Sequence, residues 1–170
     1  MLSDHQRQLH SELGIPVDYG ESGTPPFFAD ATELVNVGPN LVGRMQQLTP
    51  LAARQWQAMV SAAATNGIPL LIVSGFRSFD YQATLIRNKL TAGQEIAEIL
   101  RVNAAPGFSQ HHSGQAVDIA TPGSRPLTEA FEETQAYDWL TKNAADFGFS
   151  MSYPRDNPHG FIYEPWHWSL

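Results

Sequence analysis

Two short stretches of the sequence carry most of the side chains that could do chemistry: SQHHSGQAVD at residues 109–118 and YEPWHW at residues 163–168. The first holds two adjacent imidazoles and a carboxylate, and the second holds a carboxylate and an imidazole. These side chains are His111, His112, Asp118, Glu164 and His167. Catalytic zinc usually takes three protein ligands from His, Asp and Glu and leaves a fourth position for water. The two stretches therefore contain the donors of a zinc hydrolase site, with a carboxylate to spare.

Spacing alone does not divide these side chains between metal ligands and other roles. His111 and His112 are adjacent, so in an extended segment they point apart and only one of them easily reaches a given metal. Glu164 and His167 would lie on opposite faces of a regular strand but on one side of a helix. Pro165 cannot donate to a strand ladder, although the first turn of a helix tolerates it. Residue spacing leaves both questions open.

Three strings follow one another along the chain: SGFRSFDYQ at residues 74–82, the histidine stretch at 109–118, and EPWH at 164–167. Together they resemble the signatures of the VanY-like D-alanyl-D-alanine carboxypeptidases, in the order found in that family. The family belongs to a wider group of zinc peptidases that also holds the D-Ala-D-Ala dipeptidases, the lysostaphin-like enzymes and the hedgehog signalling domain. Residues 1–48 carry no such resemblance.

The resemblance implies a role for each matching side chain. The implied zinc ligands are His111, Asp118 and His167. Glu164 takes the place of the general base, on irregular backbone just before a final strand that starts near Trp166. The implied substrate-binding residues are Arg77, Gln82 and Ser109, with Arg77 also stabilising the negative charge that develops during reaction. His112 is left as a neighbour of the ligands, and His159 is predicted to be a loop residue.

Sequence patterns around these residues predict the strands that position them. Pro69–Val73 is a short apolar run bounded by turn residues, which predicts a buried strand with Arg77 at its end. Ala116–Ala120 alternates, so Asp118 should face the site from a strand. Two further strands are predicted at Phe149–Tyr153 and Phe161–Tyr163.

Capping residues predict the helices. The predicted helices begin at Thr49, Ser78, Gln94 and Thr134, and they end near Gly67, Gly93, Val102 and Asp146. Helices followed by hairpin-joined strands favour an α+β fold: a single domain with a small, mainly antiparallel sheet and flanking helices. Residues 1–48 show no clean period and are predicted as an irregular segment packed on a catalytic domain of residues 49–170.

Composition disfavours several classes of function. The chain has 170 residues and a formal net charge of -7 with only 10 Lys and Arg, which disfavours nucleic acid as a partner. Cysteine is absent, so any zinc must bind nitrogen and oxygen. No apolar run approaches the roughly 20 residues of a membrane span. The N-terminus lacks an apolar signal segment, so we expect a periplasmic or extracytoplasmic protein whose signal was removed, or phage-lysin-type release.

The resemblance implies a zinc-dependent D,D-carboxypeptidase, with one Zn²⁺ per chain, that removes the terminal D-amino acid of peptidoglycan stem peptides. Two alternatives use the same metal site: an L,D-carboxypeptidase and a phage-lysin-like L-Ala-D-Glu endopeptidase. A third is a non-catalytic zinc-bearing binding module. Intact Glu164 and Arg77 argue against the third, because a binding module has no need of a base.

Overall fold

A computed structural model describes residues 1–170. The helices are α1 (Asp4–Glu12), α2 (Pro50–Thr65), α3 (Phe79–Thr91), α4 (Ile96–Val102) and α5 (Gln135–Asn143). The strands are β1 (Val35–Pro39), β2 (Met45–Leu48), β3 (Leu71–Ser74), β4 (Ala116–Ala120), β5 (Ser150–Met151) and β6 (His167–Ser169). No helix has the length and hydropathy that a membrane crossing requires.

The main sheet has four strands in the order β3-β4-β6-β5, and every neighbouring pair is antiparallel. Its register pairs Asp118 with Ser74 on one side and with His167 on the other. One row across three strands therefore brings a carboxylate and an imidazole together. The predicted α+β fold with a small antiparallel sheet is confirmed.

The main core lies between this sheet and helices α2 and α5. It includes Trp56 and Met59 from α2, Val117 and Ile119 from β4, and Leu140 from α5. The cap of α2 forms as predicted, because the Thr49 hydroxyl accepts a hydrogen bond from the Ala52 N–H and a proline follows the cap. The core thus fixes β4, the central strand of the site.

The strand predicted at Phe161–Tyr163 is absent, and that prediction was wrong. The Ile162 N–H donates to the Arg101 carbonyl, and the Glu164 N–H donates to the Tyr153 carbonyl. These scattered partners satisfy the backbone without a ladder. The strand predicted at Phe149–Tyr153 is shortened to β5, and α5 ends at Asn143 and continues as a 3₁₀ helix, Ala144–Phe147.

Residues 1–48 are more regular than the sequence pattern indicated, since they contain α1 and the β1–β2 hairpin. A capping box between Ser3 and Gln6 begins α1, and the Asn40 side chain accepts from two backbone N–H groups in the hairpin turn. A second apolar cluster joins this part to α3 and α4 through Leu13, Ile15, Ile86, Ile99 and Phe108. The division into segments 1–48 and 49–170 stays a prediction.

Candidate active site

Three buried side chains, His111, Asp118 and His167, form a group whose possible metal-binding atoms all lie within 4.8 Å of one another. Asp118 comes from β4 and His167 from the first position of β6, so the sheet register places both. His111 comes from a short 3₁₀ helix, Gln110–Ser113, which Ser109 begins by accepting the His111 N–H. The three predicted ligands therefore meet at one point.

The hydrogen bonds of His111 direct a lone pair at this point. Its Nδ1 lies 2.7 Å from the Gly75 carbonyl oxygen, which can only accept, so Nδ1 carries the proton. Nε2 is buried, has no hydrogen-bond partner and lies 3.2 Å from Asp118 Oδ2. Burial, followed by the positive charge of Arg77, lowers the pKa of His111 to about 4. A neutral imidazole with a free lone pair is the form that binds a metal.

His167 is arranged in the same way with its nitrogens reversed. Nε2 lies 2.8 Å from Gln110 Oε1, and donation from Nε2 to this oxygen leaves the lone pair of Nδ1 facing Asp118 Oδ1, 3.1 Å away. Burial raises the pKa of Asp118, but positive charge on the two imidazoles and hydrogen bonds from them, when their facing nitrogens are protonated, outweigh burial and hold the pKa well below its ordinary value. Two lone pairs and an ionised carboxylate that face one another suit a divalent cation with nitrogen and oxygen ligands.

Glu164 is buried beside the group, with Oε2 3.8 Å from His167 Nδ1. The His167 N–H donates to the Glu164 carbonyl, so a tight turn returns the two side chains to the same side. This turn answers the geometric question that spacing left open, and β6 begins at His167, close to the expected position. Burial, followed by the charge of Asp118, raises the pKa of Glu164 to about 8. A carboxyl group whose pKa lies near neutral pH is suited to proton transfer, because its ionised and protonated forms are both populated there.

Arg77 follows β3 and extends along the edge of the group. Its Nη1 lies 3.3 Å from Asp118 Oδ2 and 3.0 Å from the Ser74 hydroxyl, and its Nε donates to Gln82 Oε1 at 3.2 Å. Nη2 has no partner within the protein and remains available to a ligand. Gln82 is almost fully buried, and its Nε2 donates to the Ala104 carbonyl at 2.9 Å. Its contacts support Arg77, and the direct substrate contact predicted for it stays a prediction.

A cavity of about 290 Å³ opens over these residues. The predicted site residues that line it are Arg77, Ser109, His111, Asp118, Glu164 and His167. Sequence reasoning missed Lys89 and Tyr153, which line it too. The Tyr153 ring centroid lies 4.7 Å from that of His167, and burial raises the pKa of its hydroxyl. His159 lies outside the ligand group, in the predicted loop.

Lys89 is half-buried in this cavity and forms no ion pair. Burial lowers the pKa of its ammonium, and the nearby charge of Arg77 lowers it further. The signal for Lys89 was present in the sequence, because it lies two helical turns after Gln82 on the same face of α3. Two cations thus face one side of the cavity, and one of them has no carboxylate partner.

A model of the VanY family, described as D-alanyl-D-alanine carboxypeptidase, matches residues 45–170. The chain belongs to the VanY family. A D-alanyl-D-alanine carboxypeptidase of Enterococcus faecium is 32% identical over 138 residues, which are 79% of this chain and 41% of that protein. The chain spans less than half the length of the curated relatives it matches.

Solved structures of VanY-like peptidases share the fold. The LD-carboxypeptidase LdcB superposes with a TM-score of 0.74 and 30% identity, covering 85% of this chain and 70% of that one. A Zn(II) complex of a mutant vancomycin-resistance D,D-pentapeptidase VanY superposes with a TM-score of 0.62 and 26% identity, covering 85% and 79%.

Proposed function

We propose that this member of the VanY family is a zinc-dependent D,D-carboxypeptidase that hydrolyses the terminal D-Ala-D-Ala bond of peptidoglycan stem peptides. The observation that carries the proposal is the convergence of the His111 and His167 lone pairs on ionised Asp118, beside a carboxylate whose pKa is raised. The E. faecium relative bears the name of this activity, and a VanY structure holds Zn(II). The D-stereochemistry rests on these relatives.

The residues divide the work of hydrolysis between them. Zinc bound by His111, Asp118 and His167 would lower the pKa of a water molecule at the site and polarise the scissile carbonyl. Glu164 takes a proton from the attacking water and returns it to the leaving amine. Arg77, with Nη2 free, stabilises negative charge that develops on the carbonyl oxygen, a contribution of about 3 kcal/mol for one well-placed donor.

The cavity also has a means of recognising a free C-terminus. Nη1 of Arg77 is paired with Asp118, whereas the ammonium of Lys89 has no carboxylate partner. A substrate carboxylate between Arg77 and Lys89 would relieve the repulsion of the two cations. We assign the terminal carboxylate of the peptide to this side of the cavity. Ser109 lines the cavity nearby and can add a hydroxyl.

An L,D-carboxypeptidase acting on tetrapeptides is the second candidate, favoured by the likeness to LdcB. The unpaired Lys89 does not separate either carboxypeptidase from an L-Ala-D-Glu endopeptidase, because the γ-linked D-Glu of a stem peptide also carries a free carboxylate beside the scissile bond. A non-catalytic module would not need a buried carboxylate such as Glu164 beside the ligand group. The substrate is a cell-wall peptide in each catalytic case, which supports action outside the cytoplasm.

Hydrolysis of defined muropeptides tests the proposal directly. Zinc-loaded protein is incubated with a pentapeptide ending in D-Ala-D-Ala, the matching tetrapeptide, and a substrate containing an internal L-Ala-D-Glu bond. We expect D-alanine to be released from the pentapeptide alone. Release of D-alanine from the tetrapeptide alone would show L,D-carboxypeptidase activity, and cleavage of the internal L-Ala-D-Glu bond would show endopeptidase activity. If protein with a full zinc complement cleaves none of the three, the catalytic proposal is wrong.

A further inference from the structure

His112 is fully buried beside the metal-binding group, yet it belongs to no part of the chemistry described above. Both of its ring nitrogens are nonetheless engaged. Nδ1 lies 2.6 Å from the Arg77 carbonyl oxygen, and the Gly107 N–H donates to Nε2 at 2.9 Å. Since a carbonyl only accepts and an N–H only donates, Nδ1 carries the proton and Nε2 is bare.

These contacts hold the backbone of Arg77 from both sides. The Arg77 N–H donates to the His111 carbonyl at 3.2 Å, while the Arg77 carbonyl accepts from the ring of His112. Two adjacent residues, one of them a proposed zinc ligand, therefore fix the origin of the arginine side chain. Any movement of this backbone would carry Nη2 away from the cavity.

The position of His112 is itself fixed by residues 28–31, which lie outside the part of the chain matched by the VanY family model. The Ala31 N–H donates to the His112 carbonyl at 2.7 Å. The Asp30 carboxylate lies 3.5 Å from Nδ1 of His112 and accepts the Phe79 N–H, at the start of the helix that follows Arg77. The Phe79 ring stacks near the imidazole, with centroids 6.4 Å apart.

We propose that His112 is a positioning residue for Arg77, acting through the hydrogen bond from its Nδ1–H to the Arg77 carbonyl. Its catalytic consequence rests on the proposed function, because Arg77 acts on substrate only if the chain is a peptidase. The structural consequence, a fixed Arg77, does not depend on that function.

Two substitutions separate the two contacts of His112. In His112→Asn the amide nitrogen occupies the place of Nδ1 and can still donate to the Arg77 carbonyl. In His112→Gln the amide lies at the place of Nε2, so it keeps the Gly107 contact and loses the one to Arg77. Both replacement side chains are uncharged, and each variant loses one of the two buried hydrogen bonds of His112. Each variant therefore controls for the general loss of stability in the other.

The first readout is the side chain of Arg77, followed by NMR through its Nε–H, with Arg77→Lys to assign the signal. In the wild type and His112→Asn we expect one sharp signal protected from solvent exchange, because Nε donates to Gln82. In His112→Gln we expect it to broaden or exchange rapidly. Because this readout needs no turnover, it judges the inference even if the proposed activity fails.

The second readout is hydrolysis of the pentapeptide at full zinc content, measured in all three proteins. Displacement of a positioning group by about 1 Å can cost two powers of ten, so we expect kcat/KM to fall about ten- to a hundredfold further in His112→Gln than in His112→Asn. Equal effects of both substitutions on the Arg77 signal and on kcat/KM, or larger effects of His112→Asn, would overturn the proposal. His112 would then support only the packing of its loop.

Discussion

At the scale of single residues, Glu164 and His167 face one centre but are proposed to do different work. His167 offers a lone pair, whereas Glu164 lies to the side with a pKa raised to about 8 by burial and by Asp118. The turn between them places both side chains at the site, which a regular strand would not do. Their substitutions should therefore fail in different ways.

Glu164→Gln should retain zinc and lose activity, whereas His167→Ala should lose zinc. Glutamine keeps the shape of Glu164 but cannot take a proton, so we expect the rate to fall by about 10² to 10⁴ with metal still bound. Elemental analysis of each purified protein, paired with pentapeptide hydrolysis, measures the two effects. If Glu164→Gln loses zinc as fully as His167→Ala, then Glu164 is a ligand and the ligand set is wrong.

Lys89 should affect recognition of a free carboxylate more than the chemical step. Lys89→Met keeps the length of the side chain and removes its charge, so a charge-assisted bond worth about 1.5–3 kcal/mol is lost with the free-acid pentapeptide. We expect kcat/KM for that peptide to fall roughly ten- to a hundredfold and the value for its C-terminal amide to change little. Arg87→Met, on the exposed side of the same helix, is the control. Equal losses on acid and amide would contradict the carboxylate assignment.

At the scale of elements, the loop before β4 decides which of the two adjacent histidines faces the metal site. The residues of that loop form a 3₁₀ helix rather than an extended segment, and Gly114 ends it with φ 66°. A Cβ at Gly114 would lie 3.1 Å from side-chain atoms of Leu34 and Thr49, with Ala31 almost as close. The loop therefore packs closely against Ala31, Leu34 and Thr49.

Gly114→Ala should destabilise the protein and weaken zinc binding together, because relief of the contacts displaces His111. Gly123→Ala is the matched control: its φ of 85° carries a similar backbone penalty, but a Cβ there meets nothing within 4 Å. We expect both variants to lose about 1 kcal/mol to backbone strain and only Gly114→Ala to lose zinc affinity. Urea unfolding and a competitive zinc titration measure the two quantities. Equal zinc affinity in Gly114→Ala and Gly123→Ala would contradict the prediction, because it would show that a Cβ at residue 114 does not displace His111.

The same elements explain what sequence could and could not predict. The residue types in 109–118 and 164–167 identified the candidate donors, the family resemblance assigned their roles, and the alternation in β4 oriented Asp118. Whether His111 or His112 faces the metal site could not be derived from spacing, because it depends on a loop held by distant residues. The β1–β2 hairpin was not predicted because its strands are short, β1 is largely exposed, and one of the two buried residues of β2 is the polar Gln46. The strand predicted at Phe161–Tyr163 is absent because its backbone finds partners outside the sheet.

At the scale of the whole molecule, the proposed zinc site joins parts that the chain order separates. Asp118 lies on β4, His167 on the last strand and His111 on a loop packed against residues 28–31. His111 Nε2 is buried without a hydrogen-bond partner, and the possible metal-binding atoms of the three side chains lie within 4.8 Å of one another. Zinc that binds only the folded state should therefore stabilise the entire fold.

The wild-type protein should thus show a melting temperature that rises with free zinc, and His167→Ala should not. At a free zinc concentration of about 1,000 times Kd, binding contributes about 4.1 kcal/mol. For a chain of this size each kcal/mol moves Tm by about 2–4 °C, so we expect a rise of roughly 10 °C over chelated protein. Thermal unfolding followed by circular dichroism in zinc buffers measures the shift. A similar rise in His167→Ala would show that the stabilising metal binds elsewhere. No rise in the wild type would contradict the proposed zinc site, because a cation held by three buried ligands must favour the folded state.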